Sequence, residues 1–301
     1  MRRFPSYGLL YLKLLLAVAL LFIQGCARPL LQTYPASEQE TQLAALAFTK
    51  YQKTYQAECA CCLDAELDVD VSVSGWFNDH TGKLSGYLQG MEPGYLKFVA
   101  LNPLGQPILI LLTNGKIFKF LNVPEGKAYV GSVNSETFKK FAPPGFDPEF
   151  SYYWLIGRLP PEDFEILKVR RGKEQDAYWL QIRYEQTGLE SMILFDPEGL
   201  VLRRHILMSD SGDHLVDLVY KDYQPGYVRE KQLSDSDQEL IVSLYSGEKL
   251  CKIPTKLTVS SSLGTEKRID LKLYSFMPEA EFSPVDFELE IPENLEQLIV
   301  K

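Results

Sequence analysis

Histidine is scarce in this sequence: three in 301 residues, namely His80, His205 and His214, with no metal-ligand or catalytic spacing among them. H-E-x-x-H, G-x-S-x-G, the P-loop and G-x-G-x-x-G are all missing, which removes the common zinc, serine and nucleotide-dependent enzyme classes. Carboxylates abound, but acidic pairs on an acidic chain are ordinarily solvated surface. The chain therefore reads as a non-enzyme without cofactor or catalytic residues. Basic residues are also in deficit, 31 Lys and Arg against 40 Asp and Glu, which argues against a nucleic-acid partner. Hydrophobic content of 46% with 12% aromatic residues is that of a globular chain.

The uninterrupted apolar run LLLAVALLFI (14–23) is too short to span a bilayer as a mature helix. Behind Arg2 and Arg3 it suits the core of a secretory signal. Ile23, Gln24, Gly25 and Cys26 follow, a sequence that resembles a bacterial lipobox. The expectation is cleavage after residue 25, acylation of Cys26, and, with Ala27 next, export to the outer membrane on its periplasmic side. The leader removes three basic residues, Arg2, Arg3 and Lys13, so the whole-chain net charge of −9 becomes −12. Residues 26–36 contain two prolines and no periodicity, and form a tether of up to ~35 Å. Residues 37–301 are expected to form a single domain.

Four cysteines remain: Cys59, Cys61, Cys62 and Cys251. An even number in an oxidising envelope permits disulfides in three connectivities. Cys59 and Cys62 also make one C-x-x-C, but without a second pair this is a weak metal signal. Disulfides or unpaired thiols are the preferred reading, and no metal site is expected.

Ser37 followed by Glu40 is a capping box that opens a helix over 37–56. Leu43, Ala44, Ala47, Phe48, Tyr51 and Tyr55 fall on its core-facing arc. From Glu66 the period becomes two: Leu67, Val69, Val71 and Val73 point one way, Asp68, Asp70, Ser72 and Ser74 the other. LSGYLQG, GYLKFVAL, PILILLT, KIFKFLN and KAYVG continue the pattern between turn residues. NSETFKKF and the aromatic-rich EFSYYWLIGRL predict two short helical interruptions, after which strands resume to the end. The sum is a mainly β, α+β chain: one antiparallel meander, curled into a barrel or part of one, with a few helices against one face.

Four segments, YLKFVALNPLGQPILIL, DPEFSYYWLIGRLPPE, VYKDYQPG with the later IPTKLTV and RIDLKLYSF, and FELEIPENLEQLI, resemble in order the LolA/LolB-like lipoprotein localisation family. The stretch 226–250 and the CACC cluster have no counterpart in that pattern. The resemblance implies an unclosed, curved antiparallel β-barrel with a helical lid over an apolar cavity. It implies an outer-membrane receptor that binds lipoprotein acyl chains, takes lipoproteins from a LolA-like periplasmic carrier and inserts them into the membrane. A lipid-binding or sensing module, or a structural envelope lipoprotein, are the competing readings. Cavity and lid candidates are Leu67, Val69, Val71, Val73, Phe98, Ile108, Ile110, Tyr153 and Trp154. A real cavity should reach about 300 Å³. Leu104, in the turn Asn102-Pro103-Leu104-Gly105, should stand in solvent, because so short a tip leaves little room to tuck a side chain back. The resemblance makes it a membrane-inserting residue.

Overall fold

The computed structural model describes residues 31, 33–59, 61–74, 79–141, 148–173, 176–209, 211–226, 251–261, 266–277 and 281–301. Cys26 and the stretch 227–250 lie outside them. Turn residues cut the apolar chain into many short strands. After β1 (Thr33–Pro35) and the helix α1 (Glu38–Glu58) come β2 (Cys62–Ser74), β3 (Asp79–Met91), β4 (Tyr95–Leu101), β5 (Pro107–Asn114), β6 (Ile117–Asn122) and β7 (Lys127–Ser132). Two short helices, α2 (Glu136–Phe141) and α3 (Ser151–Leu155), interrupt the meander. It resumes as β8 (Phe164–Gly172), β9 (Tyr178–Tyr184), β10 (Glu190–Asp196), β11 (Val201–Met208) and β12 (His214–Pro225). The last elements are β13 (Lys252–Ser261), β14 (Glu266–Tyr274), a 3-10 turn (Pro284–Phe287) and β15 (Glu296–Val300).

The strands form one sheet in the order β1-β8-β9-β10-β11-β12-β13-β14-β2-β3-β4-β5-β6-β7-β15. From β8 to β7 every neighbouring pair is antiparallel, while β15 runs parallel to β7. The order is linear, with β1 and β15 at its two ends, so the sheet is curved but unclosed. Residues 34–301 form one compact unit. The late strands join the early ones through β14 and β2, where Ile269 faces Val71 and Leu271 faces Val69.

Helix α1 is set by its cap. The Ser37 hydroxyl accepts the Glu40 N–H at 3.2 Å and the Glu40 carboxylate accepts the Ser37 N–H at 2.8 Å, a reciprocal arrangement that satisfies two donors at the helix start. That second bond, with the Arg171 guanidinium 3.0 Å away, holds the Glu40 carboxyl below its ordinary range. Ala44, Phe48, Tyr51 and Tyr55 are buried against Leu180, Ile182, Ile193, Phe195 and Leu202. Leu43, placed on this arc from its spacing, is 60% exposed instead. At 100° per residue it lies about 110° from the centre of the buried stripe, beyond the reach of the sheet. Phe48 meets Phe195 edge-on at 5.2 Å, a favoured aromatic geometry.

Two disulfides flank the start of β2. Cys59 pairs with Cys251, tying the end of α1 to the residue before β13, and Cys61 pairs with its neighbour Cys62. On the outer face of the sheet, Phe287 packs with Cys62, Met91 and Leu112. Leu295, with Leu289 and Ile291, packs on Leu121, Ala128 and Ile110. The Lys119 ammonium fixes this strap by donating to the Leu289 carbonyl at 2.7 Å.

One polar pair sits inside the wall. His205 on β11 is fully buried, its Nε2 3.1 Å from the Ser191 hydroxyl on β10. Desolvation pushes its pKa down to about 3, so the ring is neutral in the folded state.

Two outcomes follow from this packing. Phe48→Ala should cost roughly 3–5 kcal/mol in urea melts, whereas Leu43→Ala should change stability by about 0.5 kcal/mol or less. Between pH 6.5 and about 3 the unfolded chain binds a proton at His205 that the folded chain refuses. Stability is therefore full above the unfolded value and falls by about 1.4 kcal/mol per pH unit as pH drops below it. His205→Phe should flatten that slope in melts at a series of pH values; an unaltered slope would assign the acid sensitivity to other groups.

Candidate functional site

Cross-strand partners share a face of the sheet, and the register identifies the concave one. Ala65, Leu88, Phe98, Leu111 and Phe120 form one such row across β2 to β6. Leu63, Gly90, Leu96, Thr113 and Phe118 form the next. On β11 to β14 the row His205, Leu218, Val259 and Ile269 continues to Val71. Between these walls lies a cavity of about 330 Å³. Its lining includes Leu67, Val69, Leu88, Leu96, Phe98, Leu111, Phe118 and Phe120 on one side and Leu218, Leu257, Val259, Ile269 and Leu271 on the other. Phe138 of α2 and Ser151, Trp154 and Leu155 of α3 complete it. Ser151 is the one polar residue among them, and its hydroxyl is occupied by the Pro148 carbonyl at 2.7 Å.

The shape of the sheet follows from that lining. β6 and β12 are separated by seven inter-strand steps, which would place them ~34 Å apart in a flat sheet. Both border one cavity, so the sheet bends round it. Helix α1 fills the concave side along β8 to β13. The cavity takes the side from β12 round to β6.

Of the residues singled out from the sequence, Leu67, Val69, Phe98 and Trp154 line the cavity. Val71 is half-buried beside the Leu67 and Val69 cluster without forming part of that lining. Of Val73 only its place in the ladder, opposite His80, is described. Ile110 points the other way, into the outer cluster under the C-terminal strap. Ile108 falls in a bulge, since Ala100 faces Leu109 while Leu101 faces Pro107. Leu111, two residues on from Leu109, supplies the β5 contribution instead. The lining also takes in residues that the sequence reading does not name: Leu257 and Val259 on the far wall and Phe118 and Phe120 on the near one, marked by the alternation of KLTVS in β13 and IFKF in β6.

The aromatic helix has a definite place. A Cβ on Gly94, in the β3–β4 turn, would lie 2.8 Å from the Glu149 Cα. Gly157 takes φ +67° with the Tyr223 hydroxyl 3.0 Å from where its Cβ would be. Residues 148–157 thus cross from the β3–β4 turn to β12, at the end of β4 opposite the 102–106 turn. Tyr153 is buried there rather than in the cavity lining, its ring 5.5 Å from Tyr152 and its hydroxyl donating to Glu92 at 3.4 Å. Burial first, then the Glu92 carboxylate, raise its pKa. Trp154 lines both the main cavity and a smaller hollow of about 40 Å³ with Phe150, Pro160 and Tyr184.

At the other end of β4 the chain turns through 102–106. Leu104 is 83% exposed at its tip. Phe98, in the cavity, is four residues or ~13 Å of strand from the start of that turn. One hairpin therefore carries both a cavity wall and an exposed leucine.

No protein-family model and no curated protein sequence matches this chain. Among solved structures, a DUF1329 family protein from Desulfovibrio piger is similar at TM-score 0.53 and 10% identity, over 81% of this chain and 97% of that one. A LolA superfamily protein from Nitrosomonas europaea aligns at TM-score 0.49 and 8% identity, over 80% and 97% of the two chains. A putative outer membrane lipoprotein-sorting protein domain from Vibrio parahaemolyticus aligns at 0.49 and 12%, over 83% and 97%. At 10% identity the likeness to the first of these is one of fold alone.

Proposed function

We propose that this chain is an envelope lipoprotein, anchored in the outer membrane through acylated Cys26. It receives lipoproteins by their acyl chains from a LolA-like periplasmic carrier and passes them into the membrane. The observation that carries the reading is the apolar cavity of about 330 Å³ on the same β4–β5 hairpin that exposes Leu104. Uptake requires no bond to form or break. Apolar surface leaves water at roughly 25 cal/mol per Å², and transfer runs toward whichever site buries more of the chain. A leucine entering the bilayer contributes roughly 1.5–3 kcal/mol, too little to anchor a protein but enough to bias a tethered domain toward the surface. A purely structural role has no use for such a cavity, while a lipid-sensing module would use the cavity and leave Leu104 idle.

Cys26→Ala should leave the protein unprocessed or soluble in the periplasm; normal outer-membrane fractionation of this variant would count against the anchor. Phe98→Asp should weaken binding of a fluorescent fatty acid by about tenfold or more, since a carboxylate in an apolar wall must be desolvated. Leu104→Glu should bind the same probe as wild type does and lose about 0.5 kcal/mol of stability or less. Its delivery of a lipoprotein into vesicles should slow by about tenfold or more. Intact delivery by Leu104→Glu, with uptake abolished in Phe98→Asp, would favour the lipid-binding module.

A further inference from the structure

The two disulfides are of opposite kinds. Cys59–Cys251 joins residues 192 apart in sequence, whereas Cys61–Cys62 joins neighbours. A cross-link stabilises a fold mainly by closing a loop of the unfolded chain, and the gain grows with the loop. A bond between adjacent residues encloses no such loop, so Cys61–Cys62 restrains little that the peptide bond does not already restrain. Access separates the pairs as well. Cys59 and Cys251 are each 1% exposed, while Cys61 is only half-buried. Thiol–disulfide exchange needs a sulfur that an incoming thiolate can reach, and accessible disulfides are the labile ones.

The vicinal pair also sits at a joint. Cys62 opens β2 opposite Met91, and Met91 faces Tyr95 on β4. Phe287 of the strap (282–295) packs with Cys62, Met91 and Leu112, and Cys61, Tyr95 and Phe282 pack against the same cluster. The Phe287 ring is 5.3 Å from that of Tyr95 and 5.6 Å from that of Phe282. Bonded sulfurs lie well inside van der Waals contact, so two thiols in their place need more room. A close-packed cluster has none to spare. β2, β3 and β4 are each paired on both sides, which leaves the strap as the element that yields. Its 3-10 turn is held by the Asp286 N–H on the Ser283 carbonyl, the Glu288 N–H on the Val285 carbonyl and the Lys97 ammonium 3.5 Å from the Asp286 carbonyl. The far end has its own fastenings, the Leu295 N–H on the Pro292 carbonyl and the Glu296 N–H on the Gly126 carbonyl.

We propose that Cys61–Cys62 is a redox-active site that accepts two electrons from a protein dithiol, and that its opening loosens the Phe282–Phe287 end of the strap behind β4 and β5. One partner thiolate attacks the Cys61 sulfur: a mixed disulfide forms, the Cys61–Cys62 bond breaks, and Cys62 leaves as a thiolate. The partner's second thiolate then attacks its own sulfur in the mixed disulfide and releases Cys61. The partner ends as a disulfide, and the two protons it gave up finish on Cys61 and Cys62. Cys59–Cys251 stays closed throughout and keeps α1 tied to β13. This role is independent of lipoprotein transfer and is tested without a membrane.

The test uses the full chain in graded dithiothreitol, with alkylation and peptide mass mapping of each cysteine. Cys61 and Cys62 should be labelled at a dithiothreitol concentration at least about tenfold below that needed for Cys59 and Cys251. A thioredoxin-fold protein whose second active-site cysteine is changed to serine should be captured as a mixed disulfide on Cys61. In the selectively reduced chain, amide hydrogen exchange at Asp286 and Glu288 should quicken by about tenfold or more, with Leu295 and Glu296 unaltered. The double variant Cys61→Ala, Cys62→Ala should capture no partner, and exchange at those four amides should not respond to the same dithiothreitol. Opening of both disulfides together, opening of Cys59–Cys251 first, or no capture overturns the redox site, as do free Cys61 and Cys62 thiols in the oxidised chain. Selective reduction that leaves exchange at Asp286 and Glu288 unchanged, or quickens Leu295 and Glu296 equally, overturns the link to the strap.

Discussion

An apolar concave face that runs almost the whole length of one sheet has to be kept from water, and the covering elements are too few for it. Helix α1 can shield only the strands it crosses, and it spends Ala44, Phe48, Tyr51 and Tyr55 on β8 to β13. Bending the sheet is what shields the remainder: the walls formed by β2 to β6 and by β12 to β14 turn toward each other around the cavity. Packing then succeeds on the helix side, where Leu180, Ile182, Ile193 and Phe195 are wholly buried. It stops short on the other, where Leu96, Phe98, Leu111 and Ile269 remain half-exposed to an internal space. Cavity and core are two halves of one surface, distinguished by whether a helix was available to fill them.

Much of this was legible locally. The capping box and the stripe of Ala44, Phe48, Tyr51 and Tyr55 announced α1, because a helix that packs on one side keeps its 3.6-residue period. β2 was legible for the parallel reason: Asp68 and Asp70 face the wet side, so Leu67 and Val69 stand out as the dry one. PILILLT in β5 gave no such contrast. Leu109 and Leu111 face the concave side while Ile110 is covered by Leu289, Ile291 and Leu295 from outside, so both faces are apolar and parity cannot be read. The bulge at Ala100 and Leu101 shifts the phase again, which is why Ile108 did not fall where simple counting placed it.

The far wall was illegible for a different reason. Leu257, Val259, Ile269 and Leu271 alternate clearly enough to mark strands, but their nearness to Leu67 and Val69 depends on β14 pairing with β2, some two hundred residues earlier. Period and turn chemistry report on neighbours in sequence; they say nothing about which two distant edges meet. The cysteines share this limit. Four thiols allow three connectivities, and only the fold brings Cys251 to the end of α1.

Burial on the outer face also explains how an unfilled interior can be tolerated. Strands β4 to β7 would ordinarily need their concave side packed in order to hold together, since that is the usual source of a sheet's stability. Here the strap from Phe282 to Leu295 gives them a second, external core, and β15 adds a paired strand at the β7 edge. The hairpin of β4 and β5 is thus also held from behind, through Ile110 and Leu112, while Phe98 and Leu111 in front border the cavity. The strands that carry the Leu104 turn thus have support that does not come from filling the cavity.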